Sequence, residues 1–486
     1  MIKSRLPSVF GPSLFVLLSV PALQLAACSG EGAGKDGNDG KPMPSAVAEA
    51  GGAAGAAGAG AAMDPAASPS TTEGPLATTP GAGATPVGTD PGAPPAMGMG
   101  MPSSQPQAGD QGTAPPPAMP AAAPHTSPKS VSIYDESKVV DFYVTFAPGD
   151  WDKMLNPGDL KEDARWVHCG FSFEGEAFPD AACRRKGDVT DWVVERKPQF
   201  LVRFNLWNPK GRFRGLRRLH FESFDALEAP IRDRIGMSVM RQAGIDAPRV
   251  NHARVFKDGV QLGLYMNVEV IDKEFLEDHY GQPNSDGNLW KSGYELHTNE
   301  TAPPNGKIEA LQTLIETEAL GTDHTTFAQI LATQMDVSEV IRETAVETVL
   351  LVNDNFSNGS TNFYYYEHAA RGFVALPWDL DTTFTQSPAD ADPFEYWAGS
   401  TPNKLRQIIN ETPALRAQYI DALVDVRDKV LTQLPAEVDR VCAQIRPFMP
   451  EEPTRAADLA QFEADCTQVA ASITARSQAL VRLLGR

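Results

Sequence analysis

Between Ser29 and about Ser130 the chain holds almost no large apolar residues. Runs such as AGGAAGAAGAGAA and PGAPPAMGMGMP are built from Ala, Gly, Pro, Ser and Thr. Such a segment cannot bury enough apolar surface to offset the entropy of ordering it. It is predicted to be a disordered tether, residues 29–130, with a typical span of about 50–60 Å. The fold must therefore be made by residues 131–486. A length of about 355 residues is large for one core, so two lobes are expected, roughly 131–290 and 291–486.

The first 28 residues are read as an export signal. Lys3 and Arg5 give a basic start, and an apolar stretch from Leu14 to Leu25 is interrupted by Pro21. That stretch is too short and too broken to span a bilayer. The ending Leu-Ala-Ala-Cys resembles the lipobox of bacterial lipoproteins, which implies a lipid on Cys28 and attachment to a membrane through it. Ser29 stands where an aspartate would resemble an inner-membrane retention signal. The resemblance thus implies the cell envelope, at the outer membrane or cell surface. The other cysteines are Cys169, Cys183, Cys442 and Cys466, an even number suited to disulfides in an exported chain. Pairing neighbours, Cys169 with Cys183 and Cys442 with Cys466, is the simplest of three connectivities. A net charge of −20 argues against nucleic acid as a partner.

Local patterns place the elements. VVDFYVTF (139–146) alternates as a strand does, and so does PQFLVRFNLW (198–207), where Phe200, Val202, Phe204 and Leu206 share a face. The segment 229–245 reads as a helix with Ile231, Ile235 and Val239 on one side. Residues 253–271 read as a hairpin with Asp258-Gly259 at its turn. Its second strand has a polar face of Tyr265, Asn267 and Glu269, which either meets water or lines a cleft. DVSEVIRETAVETVLLVND (336–354) reads as a helix capped by Asp336. The polar run NDNFSNGST follows as a loop, and two strands, NFYYYEH and VALPWDL, follow as a hairpin. From Pro402 the pattern is helical.

One constellation stands out. Asp354 closes the long helix, Asn362 opens the hairpin, and Asp379 and Asp381 lie near its end. In an extended chain these two aspartates would share a face, an arrangement that is costly without a proton or cation between them. An oxygen-only set of this kind suits Mg²⁺, Mn²⁺ or Ca²⁺, and Mg²⁺ is commonly held by one or two carboxylates plus phosphate oxygens. The order of groups is that of a protein-kinase catalytic loop followed by a metal-binding aspartate. The strict signatures His-Arg-Asp, Asp-Phe-Gly and GxGxxG are absent.

Several segments, in order, resemble the CotH kinase family, named for spore coat protein H. RRKGDVTDW and RKPQFLVRF are similar to its Arg-Gly-Asn turn and basic strand. The block from Ile231 to Leu276, IRDRIG…DKEFL, resembles its central helix and hairpin, and GNLWK follows. NDNFSNGSTNFYYYEH and LPWDLDTTF resemble its catalytic and metal segments. The resemblance covers about 180–410. It implies an α+β, remote protein-kinase-like two-lobed fold and transfer of the ATP γ-phosphoryl to protein hydroxyls, Ser foremost, with Mg²⁺ or Mn²⁺. By position it implies Asp354 as catalytic base and Asn362 as metal ligand, with Asn358 competing. It implies Asp381 or Asp379 as the metal aspartate, Asp381 preferred. Glu269 matches the glutamate that orients the nucleotide-binding group. Arg203 falls where the family often has Lys, and Lys197 or Lys291 could substitute. Lys186-Gly187-Asp188 departs from Arg-Gly-Asn. The protein acceptor would lie in the periplasm or on the cell surface. A kinase-like surface, adhesion or coat-assembly protein without turnover, and a structural Ca²⁺ site, are the other readings.

Overall fold

The computed structural model describes residues 130–156, 166–186, 197–223, 230–319, 326–352, 354–359, 361–384, 387–395, 403–453 and 459–486. The expected signal segment with Cys28, the tether up to residue 129 and the Gly187-Asp188 turn lie outside the described residues.

The first half builds a closed barrel. Its strands are β1 (Val140–Thr145), β2 (Val167–Phe173), β3 (Glu176–Arg185), β4 (Phe200–Arg203), β5 (Arg218–Glu222), β6 (Val250–Lys257) and β7 (Val260–Val268). They pair in the order β1-β2-β3-β4-β5-β7-β6, and β6 closes onto β1 in the one parallel pairing of this sheet. Helix α1 (Asp150–Leu155) lies between β1 and β2, α2 (Arg232–Gln242) between β5 and β6, and α3 (Lys273–Tyr280) after β7. Alternation fixes the inside: Phe142, Phe171, Phe173, Phe200, Phe221 and Tyr265 form one buried cluster. Their rings pack closely, with centroids 4.7 Å apart for Phe142 and Phe173 and 5.0 Å for Phe200 and Phe221. Each such ring contributes about 1.5–3 kcal/mol by burial. Asp258 and Gly259 both take positive φ, 50° and 83°, as a two-residue hairpin turn of this hand requires. The Cys169–Cys183 disulfide joins β2 to β3.

The second half packs helices on a smaller sheet. Strands β8 (Leu289–Lys291), β9 (Glu295–Leu296), β10 (Phe363–His368) and β11 (Gly372–Pro377) form it in the order β11-β10-β8-β9. The helices are α4 (Lys307–Ala319), α5 (Phe327–Leu331), α6 (Val337–Leu350), α7 (Phe356–Gly359), α8 (Lys404–Glu411), α9 (Pro413–Val426), α10 (Leu434–Ile445) and α11 (Leu459–Leu484). A π-helical turn, Arg427–Leu431, follows α9 and a 3₁₀ segment, Arg446–Glu451, follows α10. The architecture is thus mixed α/β, and the expected lobe boundary at 290/291 falls inside β8. Cys442–Cys466 ties α10 to α11. Cross-links closing loops of 14 and 24 residues each stabilise by roughly 3 kcal/mol.

The core of this half reaches back to the barrel. It includes Ile235 and Val239 of α2 and the outward-facing Leu264, Met266 and Val268 of β7. Helix α6 starts where Asp336 accepts the Glu339 amide at 3.0 Å, as its capping pattern predicts. It is buried on more sides than an amphipathic stripe would be, because Glu339, Glu343 and Glu347 are buried too. The polar run after it is not all loop, since α7 forms one helical turn there. No helix among the described residues is long and apolar enough to cross a membrane.

Candidate active site

The outer face of β3, β4 and β5 carries the polar residues that alternate with the barrel core. Cross-strand register sets them in rows: Ala182 opposite Arg203 and Arg218, then Arg184 opposite Leu201 and His220. At the next row Lys186 Nζ lies 2.7 Å from Glu222 Oε1, both buried. His220 Nε2 lies 3.4 Å from the same oxygen. The sequence RLHFES encodes this face by strict alternation: Arg218, His220 and Glu222 point out, Leu219 and Phe221 in.

Helix α2 fastens this face to the segment after β11. Asp233 Oδ1 accepts the Leu380 amide at 2.8 Å, and Arg232 Nη1 donates to the Thr383 carbonyl at 2.7 Å. Gly236 sits where a Cβ would come within 2.8 Å of Leu380 Cβ and Thr383 Oγ1, so the close approach needs glycine. The Trp378 ring stacks on His220 with centroids 5.6 Å apart, and Lys186 Nζ lies 5.5 Å from the Trp378 centroid.

The two aspartates of the Asp-Leu-Asp motif do not share a strand face. Strand β11 ends at Pro377 because its partner β10 begins at Phe363, and the Trp378 amide then donates to the Asn362 carbonyl at 3.0 Å. Asp379 takes the left-handed conformation, φ 57°, which aspartate tolerates better than most residues. The alternation is broken there, so Asp379 is buried and Asp381 exposed.

Asp354 and Asn362 meet just before β10, where Asn362 also holds the backbone that leads into Asp379. Asn362 Nδ2 donates to the Asp354 carbonyl at 3.0 Å, while the Asn362 carbonyl takes the Trp378 amide. Thr361 Oγ1 donates to Asp354 Oδ1 at 2.5 Å. Asn358, the competing amide, is committed elsewhere: its Nδ2 donates to the Val352 carbonyl at 2.9 Å and its Oδ1 accepts from Arg406.

Like charges meet in this cluster. Asp233 is held well above the usual carboxylate range, by burial first and then by Glu222 and Asp379, with only partial relief from the Leu380 amide and Lys186. Its Oδ2 is buried without a hydrogen-bond partner. A proton or a cation relieves carboxyls placed this close. Among the described residues no group of three or more His, Cys, Asp and Glu is arranged as a ready-made metal cage. By donor chemistry alone, an amide and a carboxylate such as Asn362 and Asp379 suit a cation that takes its remaining oxygens from phosphate and water, as Mg²⁺ does.

Two residues expected near the nucleotide are engaged by other groups. Glu269 lies between Arg249, whose Nε is 2.8 Å away, and His279, whose Nε2 is 3.8 Å away. The strand face it shares with Tyr265 and Asn267 neither meets water nor lines a cleft. Barrel closure turns that face inward, and Asn267 Nδ2 bonds Asn251 and the Ile133 carbonyl. Lys197 Nζ lies 3.1 Å from Glu452 Oε2, both with no exposed side-chain surface. Arg203 lies on the outer face, two rows from Lys186, with its Nε 3.0 Å from Asn205 Oδ1. Lys291 pairs opposite Tyr364 in the second sheet. Apart from the alternation in RLHFES, nothing local in the chain marks Glu222, His220, Asp233 or Trp378 as members of this cluster.

Comparison with known proteins adds the following. The family model described as CotH kinase protein matches residues 186–480. No curated protein matches the chain. Among solved structures, the chain is similar to HipA in a complex of HipA, HipB and operator DNA from a Shewanella oneidensis MR-1 toxin–antitoxin system. The identity is 14% and the TM-score 0.28, over 56% of this chain and 62% of that one. It is similar to the Helicobacter pylori proinflammatory kinase CtkA at 10% identity and TM-score 0.29, over 58% of this chain and 92% of that one. The chain therefore spans less than two thirds of the HipA chain.

Proposed function

Because this chain belongs to the CotH kinase family, which the match over residues 186–480 establishes, we propose that it is an ATP-dependent phosphotransferase acting on protein hydroxyls, Ser foremost. The observation that carries the reading is the meeting of Asp354, Asn362 and the Trp378–Asp379 segment through the two hydrogen bonds of Asn362.

In this reading Asp354 accepts the proton of the attacking hydroxyl. Its Oδ1 is oriented by Thr361 and its backbone by Asn362. The hydroxyl oxygen forms the new P–O bond, the bond between the γ-phosphorus and the bridging oxygen breaks, and ADP leaves with that electron pair. Lys186, paired with Glu222, is the cation this reading assigns to the phosphates. Arg203 is on the same outer face for a more distant part of the nucleotide. Asn362 and Asp379 would hold Mg²⁺ or Mn²⁺, which supplies neutralisation of the triphosphate charge. Asp379 takes this role rather than Asp381 because it is the buried member of the pair and faces Asp233. Glu269 and Lys197 act as framework. Export, a lipid on Cys28 and a surface or periplasmic acceptor belong to the same reading.

The test is phosphate incorporation from labelled ATP with Mn²⁺, in the wild type and in Asp354→Ala and Asp379→Ala. Incorporation that both substitutions remove, with both variants folded, supports transfer. Wild type that binds a partner without ATP, with both variants binding equally, would replace this reading with the non-catalytic surface protein.

A further inference from the structure

Helix α6 carries two buried carboxyls one turn apart, Glu343 and Glu347, both fully buried. They have different surroundings. Glu347 reaches the loop after the helix: its Oε1 accepts the Phe356 amide at 3.2 Å and its Oε2 the Ser357 amide at 2.9 Å. Both Glu343 oxygens are buried without a hydrogen-bond partner. The amides that Glu347 holds lie between Asp354 and Asn362, the two residues on which the proposed chemistry rests.

We propose that Glu347 is the positioning residue of the Asp354–Asn362 loop, and that it shares one negative charge with Glu343, so that the loop is fully fixed only when that charge sits on Glu347. The link to catalysis rests on the reading of Asp354 given above; the hold on the loop does not.

The reasoning is electrostatic and geometric. Two carboxylates one turn apart in an apolar interior cannot both be charged without a cation between them. The charge favours Glu347, because an ionised carboxylate can accept two N–H bonds, one per oxygen, whereas a protonated carboxyl keeps only one good acceptor. Four packed elements bring titratable or charged groups near this site. Tyr365 comes from β10, Arg406 from α8, Tyr419 from α9, with its hydroxyl 2.8 Å from Thr348 Oγ1, and Arg476 from α11, donating to the Thr348 carbonyl at 3.0 Å. Arg406 also grips Asn358 and the Glu395 carbonyl, so the cation that favours ionised Glu347 is fastened to the same loop. Burial raises Glu347 to about 7, offset in part by Ser357 and Arg406. Burial, and then Glu347 itself, hold Glu343 well above the ordinary range. Raising the pH through neutrality would therefore charge Glu347 first and tighten the loop.

Hydrogen exchange of the full chain tests this, read over residues 354–362 at pH 5.5, 7 and 8.5 and corrected for intrinsic rates, beside the pH profile of phosphate transfer. Protection in the wild type should rise about tenfold across this range, the scale of one charge-assisted hydrogen bond. Glu347→Gln should remove the pH dependence and keep intermediate protection through its single carbonyl. Glu343→Gln should keep the wild-type rise and its midpoint, because Glu343 stays protonated while Glu347 ionises. A flat wild-type profile, a rise that survives Glu347→Gln, or a rise lost in Glu343→Gln overturns the proposal; the latter variant serves if Glu347→Gln fails to fold. Exchange behaving as expected with no phosphate transfer in any variant would support the hold of Glu347 on the loop and overturn the kinase reading alone. Transfer whose rate ignores a measured change in loop protection would overturn the positioning role.

Discussion

Two buried ionic clusters in this molecule shift their carboxyls in opposite directions. Around Glu269 each carboxylate has a cation. Arg249 and His279 outweigh the burial that would raise the Glu269 carboxyl and hold it at about 2. Asp246 and Glu269 in turn push His279, against its own burial, up to about 9. Around Asp233, burial and the neighbouring carboxylates of Glu222 and Asp379 drive its carboxyl up rather than down. A carboxylate answered by cations holds a fold together. A carboxyl raised by like-charged neighbours is the commoner mark of a functional site.

The contrast predicts opposite outcomes for similar substitutions. The largest effect is expected on turnover: Asp354→Ala should lower phosphate transfer by about 10²–10⁴-fold, the usual scale for loss of a general base, with unchanged circular dichroism. Asp379→Asn, which suits the left-handed backbone as aspartate does, should change the melting temperature of the free protein little, since it removes a repelling charge. It should also lose the stabilisation that the wild type gains from Mg²⁺ and ATP in a thermal shift. An unfolded Asp379→Asn would erase the distinction between the two clusters. Glu269→Ala should do the reverse. Leaving Arg249 and a protonated His279 buried without their carboxylate costs about 3–5 kcal/mol, read as a fall in urea midpoint.

A smaller effect should appear with pH. His279 is raised in the folded protein, so its contribution is complete below about 6.5, its ordinary value, and is lost as pH rises through about 9. Glu269 is depressed, so its contribution is complete above about 4.5 and is lost as pH falls through about 2. Urea unfolding should therefore show stability falling between pH 7 and 9.5, and His279→Gln should flatten that slope. A slope unchanged by the substitution would remove His279 from the structural cluster. The smallest effect is expected at the exposed partner of Asp379: Asp381→Asn should change stability by no more than about 0.5 kcal/mol and leave the Mg²⁺-dependent shift in place.

How much of this could be read beforehand depends on how local each signal is. The strand at 140–145, the Asp258-Gly259 turn, the Asp336 cap and the Phe200–Val202–Phe204 face are written in neighbouring residues, and the structure has them where alternation and capping chemistry set them. The cysteine neighbours are joined as the simplest connectivity has them. The loop from Asp354 to Asn362 and the Trp378–Asp381 segment were legible as polar groups interrupting apolar runs. Their meeting depends on the β10–β11 hairpin, which the sequence also indicated. The meaning of Glu269 was not legible, because only barrel closure, with β7 inserted between β5 and β6, turns its strand face inward. Nor could alternation say that Asp379 leaves the strand, since that follows from where β10 begins. Glu343 and Glu347 carry no sequence signal of burial, since charged helix residues ordinarily face water. They are buried because α6 is packed on several sides by residues remote in the chain, among them Tyr365, Tyr419 and Arg476.

The contact between Lys197 and Glu452 has a consequence for dissection of the molecule. Glu452 follows the 3₁₀ segment near the end of the chain, yet its carboxylate meets a lysine at the start of β4 and also accepts the Leu264 amide of β7 at 2.8 Å. A fragment cut after the barrel would take from Lys197 and from the Leu264 amide a carboxylate that both bind. Any shortened version of the first half should therefore carry the turn that bears Glu452 along with it.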